Sequence, residues 1–143
     1  MARVIIDIPN RVDFRTSIDV RITDLNYAAH LANNAVLGLA HELRMKFLAE
    51  FDASENEFFG VGLIMTDAAI VYKSQGYYGD TLDAEISCEI VSSVGFELFY
   101  RLKNAESGKE VARIKTGMVC FDYKANKIAK LPEEFRDALE RLS

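Results

Sequence analysis

The sequence predicts an α+β fold: a long antiparallel sheet curled around one central helix, with a short helix near the C-terminal end. Three observations predict it. Residues 34–50 carry apolar side chains at helical spacing on more than one stripe, so the helix has to be largely enclosed by other elements. Residues 81–123 carry three runs with the period of two of half-buried strands, separated by short turns. Helix and strands are segregated along the chain, which separates this pattern from an alternating, parallel α/β sheet.

The 143 residues read as one domain, 1–143, large enough to bury a real core. Half of them are apolar and 27% are charged, the balance of a soluble globular protein. The net charge of −5, with no Lys/Arg run longer than two, argues against nucleic acid as a partner, because phosphate neutralisation needs clustered cations. No apolar run approaches membrane-spanning length, and Met1-Ala2-Arg3-Val4-Ile5-Ile6-Asp7 lacks the apolar core of a signal peptide. A cytoplasmic protein with no membrane partner is therefore expected. Cys88 and Cys120 lie in strand-like runs, form no CxxC, and match no zinc spacing with the two histidines. Buried free thiols are the expectation. There is no glycine-rich phosphate loop and no GxSxG.

In chain order, residues 1–12 are a lead-in with a turn at Pro9-Asn10. Residues 17–23 alternate, with Ile18, Val20 and Ile22 on one face, and predict a strand. A polar corner follows, Thr23-Asp24-Leu25-Asn26-Tyr27-Ala28-Ala29-His30-Leu31-Ala32-Asn33-Asn34. Residues 34–50 predict the helix, capped by Asn33 or Asn34. Glu42 and Lys46 stand four apart on its more polar side. Residues 62–75 predict a strand interrupted by Asp67, and residues 76–80 a turn. Residues 81–91, 94–103 and 110–123 predict an antiparallel meander, and Pro132 opens a short helix over 133–142. A lone sheet of this kind leaves edges exposed, so two copies pairing side by side is plausible chemistry for the chain.

The order resembles the hotdog fold, and three stretches resemble its 4-hydroxybenzoyl-CoA thioesterase-like branch over roughly residues 12–140. Asp24 to Asn34 is similar to the family's D-x-D-x-x-G-H-x-N-N. Glu42-Leu43-Arg44 is similar to its E-A-R, and Ile70-Val71-Tyr72-Lys73 with Gly79-Asp80-Thr81-Leu82 to its Y-x-x-P-x-x-x-G-D-x-L. The ending Leu131-Pro132-Glu133-Glu134 is also similar. The resemblance implies a thioesterase acting on an acyl-CoA or acyl-carrier-protein (acyl-ACP) substrate, with neither metal nor other cofactor. The site would lie in a cleft between subunits of a homodimer or homotetramer. Its oxyanion would be held by the start of the central helix, around Ala32, Asn33 and Asn34.

The chain departs from that pattern where it matters most. Aligning His30 with the family histidine puts Asn26 at the position of the usual carboxylate, and an amide cannot act as base or nucleophile. Ala29 takes a glycine position and Val36 a frequent tyrosine position. Asp24, His30 and Glu42 are the candidates for the missing chemistry, with Asn26 as a positioning group. Each has a plain structural reading beside it: a turn-fixing Asp24, a hydrogen-bonded His30, a solvated Glu42. Asp67 is a further candidate, with a raised pKa expected if it sits in an apolar strand. Lys73, Arg113 and Lys115 are candidates for CoA phosphates or a solvated face. Two functions follow, a thioesterase or a hotdog module that binds an acyl-thioester without cleaving it.

Overall fold

The computed structural model describes residues 3–142. A central helix α1 (Asn33–Ala49) lies against one antiparallel sheet built from β1 (Phe14–Asp19), β2 (Gly62–Tyr72), β3 (Thr81–Ile90), β4 (Gly95–Asn104) and β5 (Glu110–Asp122). The order across the sheet is β1-β3-β4-β5-β2. A two-residue strand β6 (Lys127–Ile128) pairs with β5, and helix α2 (Glu133–Arg141) ends the described chain. The meander β3-β4-β5 forms as its alternation predicts. One residue in two faces the helix: Leu82, Ala84 and Ile86 on β3, Phe96, Leu98, Tyr100 and Leu102 on β4, Ile114 and Met118 on β5.

α1 turns Val36, Leu39, Ala40, Leu43, Phe47 and Leu48 into this concave face, all buried. Its opposite side is not enclosed: Gly38, His41 and Glu42 are exposed. The broad apolar surface therefore serves one deep face, and the helix is half rather than fully wrapped. α2 closes one end of the core. Phe135 stacks among Phe51, Phe58, Phe59 and Phe96 at ring-centroid distances of 5.4, 4.8, 5.9 and 5.1 Å. Cys88 and Cys120 are buried free thiols, and burial pushes Cys120 up to about 11.

Several boundaries differ from the sequence expectation, each for a local reason. The first strand runs over Phe14–Asp19 instead of 17–23, and Ile22 is exposed. A 3-10 turn, Ile22–Asp24, replaces its predicted end. α1 starts at Asn33, and its cap is Ala32 with no side-chain hydrogen bond, so neither Asn33 nor Asn34 caps it. Glu42 and Lys46 form no pair; Lys46 Nζ donates to the Ser17 carbonyl at 3.2 Å. β2 stops at Tyr72 because the amides of Lys73 and Ser74 both turn to the Val111 carbonyl. Pro132 is the cap of α2, one position earlier than expected. β6 was too short for the pattern to show.

A cation is buried in the middle of this arrangement. Arg44, 5% exposed, donates from Nε to Glu55 Oε2 at 3.1 Å and from Nη1 to the Tyr100 hydroxyl at 3.2 Å. The Tyr100 and Thr116 hydroxyls are 2.8 Å apart, and both residues are fully buried. Glu55 Oε1 takes His41 Nε2 at 2.7 Å, and the Glu55 carbonyl accepts the Leu63 amide at 2.7 Å. One network thus ties α1 to the 52–61 connection, to the start of β2, and to the centre of β4 and β5.

Two predictions follow. Arg44→Met leaves the Glu55 carboxylate without its buried partner; because that carboxylate is about a quarter exposed, the loss is at the low side of buried-pair values, about 2 kcal/mol by urea denaturation. Tyr100→Phe strands the buried Thr116 hydroxyl and costs about 1 kcal/mol in the same measurement.

Candidate functional site

The polar corner is a closed loop between β1 and α1. Asp24 is buried, 4% exposed, at its entry. Its Oδ2 accepts the Arg21 amide at 2.8 Å and Arg21 Nε at 3.2 Å, and its Oδ1 accepts Arg21 Nη2 at 3.0 Å. Burial alone would raise the Asp24 pKa, but these bonds and the guanidinium charge outweigh it and hold the carboxyl below its ordinary value. Both oxygens are occupied in fixing the turn.

Asn26 organises the loop itself. Its Oδ1 accepts the Ala28 amide at 2.9 Å and the His30 amide at 3.2 Å. Its backbone amide donates to the His30 carbonyl at 2.8 Å, and its carbonyl accepts the Ala29 amide at 3.0 Å. This tight closure forces Ala29 to a φ of 63°, a left-handed backbone that favours glycine. The loop is pinned at its exit, where the Leu31 amide donates to the Gly76 carbonyl at 2.7 Å and the Ala32 amide to the Asp24 carbonyl at 2.8 Å. Gly76 has to be small, since a Cβ there would meet the Leu31 side chain at 3.1 Å. His30 is half-buried, its ring edge-on to Tyr77 with centroids 5.2 Å apart.

The loop delivers the chain to the start of α1. The amides of Asn33 and Asn34 have no acceptor within the helix, and no side chain caps them. They carry the positive end of the helix dipole. The Tyr72 hydroxyl donates to the Asn33 carbonyl at 2.9 Å, which ties the end of β2 to the helix start. Beside it opens a depression of about 290 Å³ lined by Leu31, Asn33, Val36, Tyr72 and Lys73, among others. Asn33 lines this depression and Asn34 does not, so a carbonyl oxygen seated there would lie beside the first residue of the helix, at the positive end of its dipole.

The larger depression lies elsewhere. A cleft of about 550 Å³ runs between β1 and the open side of α1, with Ile18, Arg21, Leu39, Glu42 and Met45 on its walls. Glu42 lines this cleft. Nine residues of helix separate it from Asn33, about 13 Å along the axis at 1.5 Å per residue. This cleft is the larger of the two; the smaller one has the uncapped helix start, through Asn33, on its wall. Of the residues singled out in the sequence, Asn33 and Lys73 line the depression, while Asn26, His30, Ala32 and Asn34 belong to the loop and helix start without lining it. Asp24 is behind them, and Glu42 is in the other cleft.

Asp67 is not in an apolar setting. It sits at a bulge of β2, exposed, its Oδ2 accepting Lys115 Nζ at 2.7 Å. That bond and Thr66 hold its pKa below the ordinary value instead of raising it. Lys115 also pairs with Glu97 at 2.7 Å and is fully engaged. The Tyr72 hydroxyl and Gly76 have no role in the sequence reading, although both lie in the Tyr72 to Asp80 stretch that carries the resemblance.

Residues 20–139 match the thioesterase-like superfamily. A 1,4-dihydroxy-2-naphthoyl-CoA hydrolase of Microcystis aeruginosa is 32% identical over 120 residues, covering 82% of this chain and 82% of the relative. A hydrolase of the same name from Synechocystis is 27% identical over 123 residues, covering 84% of this chain and 89% of the relative. Among solved structures, a Synechocystis 1,4-dihydroxy-2-naphthoyl-CoA thioesterase superposes with a TM-score of 0.81 at 25% identity, covering 88% of this chain and 94% of that one. A DHNA-CoA thioesterase of Staphylococcus aureus shares the fold with a TM-score of 0.75 at 20% identity, covering 88% and 85%. The chain belongs to the thioesterase-like superfamily and has the hotdog fold.

Proposed function

We propose that this chain is an acyl-CoA thioesterase whose substrate carbonyl binds at the start of α1. The observation that carries the reading is the uncapped start of α1, with Asn33 on the wall of an open depression, in a chain of this superfamily. Hydrolysis adds water to the thioester carbonyl, the oxygen becomes an oxyanion, and the intermediate collapses with loss of the CoA thiolate. The uncapped helix start and its dipole stabilise the oxyanion. The two relatives that are 1,4-dihydroxy-2-naphthoyl-CoA hydrolases favour an aromatic acyl group.

The base is the open step, because position 26 is an amide. Asp24 is engaged on both oxygens by Arg21, and Glu42 faces a different cleft. His30 is the group we assign to it: its ring has no hydrogen bond to a described residue and stands beside the loop. His30 would take a proton from the attacking water and return it to the leaving thiolate. Asn26 holds the His30 amide and so positions this group. The chain acts as a single hotdog domain and pairs with a second copy along β2, whose outer edge has no strand beside it.

A second reading, an acyl-thioester binder that does not cleave, is favoured by Asn26 itself, since its side-chain oxygen is committed to loop amides. Steady-state hydrolysis of an aromatic and aliphatic acyl-CoA panel separates the two: turnover is expected, and none on any substrate would leave the binder. Asn26→Asp restores a carboxylate and is expected to raise kcat about tenfold or more, within the range a positioned carboxylate contributes. His30→Ala is expected to lower wild-type kcat by about a hundredfold, while Asp24→Asn lowers the thermal midpoint. An unchanged kcat in His30→Ala would remove His30 from the mechanism. Ala29→Gly is expected to raise stability by about 0.5–1 kcal/mol in chemical denaturation by relieving the left-handed alanine.

A further inference from the structure

Lys73 stands just past the end of β2, where three depressions meet. One is the depression at the helix start. A second, of about 450 Å³, continues along Ser74, Tyr77 and Lys109. The third, of about 230 Å³, lies between the 3–6 segment and β2, and its polar walls are Arg3, Lys73 and Arg113. No carboxylate lines it. Its remaining walls are aliphatic: Val4, Ile5, Ile6 and Val71. Val4 and Ile5 are 59% and 80% exposed, an unusual investment of apolar surface on an extended segment.

The three cations have different tasks. Arg113 is committed: Nε and Nη2 donate to Glu110 at 2.6 and 3.4 Å, and Nη1 donates to the Ile6 carbonyl at 3.0 Å. That last bond holds the 3–6 segment against β5 and so keeps Arg3 beside Lys73. The Lys73 ammonium and the Arg3 guanidinium have no hydrogen-bond or ion-pair partner among the described residues. Two unpaired cations beside exposed aliphatic side chains, on a chain of net charge −5, suit a ligand with phosphate groups and a flat apolar ring. Charge-assisted contacts to phosphate oxygens supply affinity, and the aliphatic wall supplies a surface for the base. The same Lys73 also borders the depression at the helix start, so the two places lie on either side of one side chain.

We propose that Arg3 and Lys73, with Arg113 positioning the 3–6 segment, bind the phosphates of the CoA nucleotide, which makes free CoA thioesters the substrates and not thioesters carried on a protein. The proposal rests on the thioesterase reading above and specifies its carrier. A protein-borne pantetheine has one phosphodiester and no adenosine, and would leave both the cation pair and the aliphatic wall largely unused.

The test is calorimetric titration of the full chain with adenosine 3′,5′-bisphosphate, alongside hydrolysis of one acyl group presented on CoA, on pantetheine and on acyl carrier protein. Arg3→Ala and Lys73→Ala are expected each to weaken nucleotide binding about tenfold, the loss of one charge-assisted contact. Each is expected to raise KM for the CoA thioester by a similar factor, and Arg3→Ala to leave KM for the pantetheine thioester where it was. Lys124→Ala, a lysine in the turn after β5, is the control and changes neither. Hydrolysis of CoA thioesters with no nucleotide binding, or with binding equal in all variants, would overturn the proposal and leave the thioesterase reading intact. A KM for the protein-borne thioester below that for CoA, and raised by the same two substitutions, would overturn it in favour of a carrier protein. Nucleotide binding lost in the two variants, with no turnover on any thioester, would uphold the cation site and refute the thioesterase reading.

Discussion

The buried Arg44 guanidinium is the constraint on which the rest of the arrangement depends. A charge inside a sheet's concave face is tolerated only when its donors are met. Here Glu55 and the Tyr100 hydroxyl meet them, and Thr116 completes the chain of hydroxyls. Those partners come from the connection after α1 and from the two central strands. Satisfying one cation therefore fixes the rotation and height of α1 on the sheet. Everything functional depends on that placement, because the helix start, the loop that delivers it and the Tyr72 contact are all set by where α1 lies.

The corner's loop is organised by the Asn26 side chain. Asn26 accepts two loop amides through its side-chain oxygen, a task a carboxylate oxygen would perform equally well. The loop therefore keeps its form with an amide at this position. Asp24 and Arg21 secure the entry, and Gly76 and Leu31 the exit. The Asn33 and Asn34 amides stay uncapped although two asparagines stand at the helix start. Capping side chains would have filled the place where the proposed function holds an anionic oxygen.

The sheet and the central helix were legible because their apolar periods, two and 3.6, record which face is buried. β3 and β4 show this plainly: both alternate in sequence, and Leu82, Ala84 and Ile86 on β3 and Phe96, Leu98, Tyr100 and Leu102 on β4 are buried. The first strand was misplaced because Val20 and Ile22 continue the alternation in sequence after the backbone has entered a turn. Only the Arg21–Asp24 bonds, a three-dimensional fact, end that strand. The corner was legible through His30, the asparagines and the resemblance, but the division of labour within it was not. Spacing cannot show that both Asp24 oxygens are occupied, or that Glu42 lies about 13 Å of helix away from the corner. Nor could it show the buried network, since Arg44, Glu55, Tyr100 and Thr116 are scattered over four elements.

The proposed function seats a thioester carbonyl at the start of α1 and not in the larger cleft along β1. A ketone analogue of acyl-CoA, with a methylene in place of the thioester sulfur, tests it by amide NMR titration. The account predicts that the Asn33 and Asn34 amide resonances shift first and furthest, with those of the loop at His30 following. Shifts concentrated at Gly38, His41 and Met45, with the helix-start amides unmoved, would contradict it.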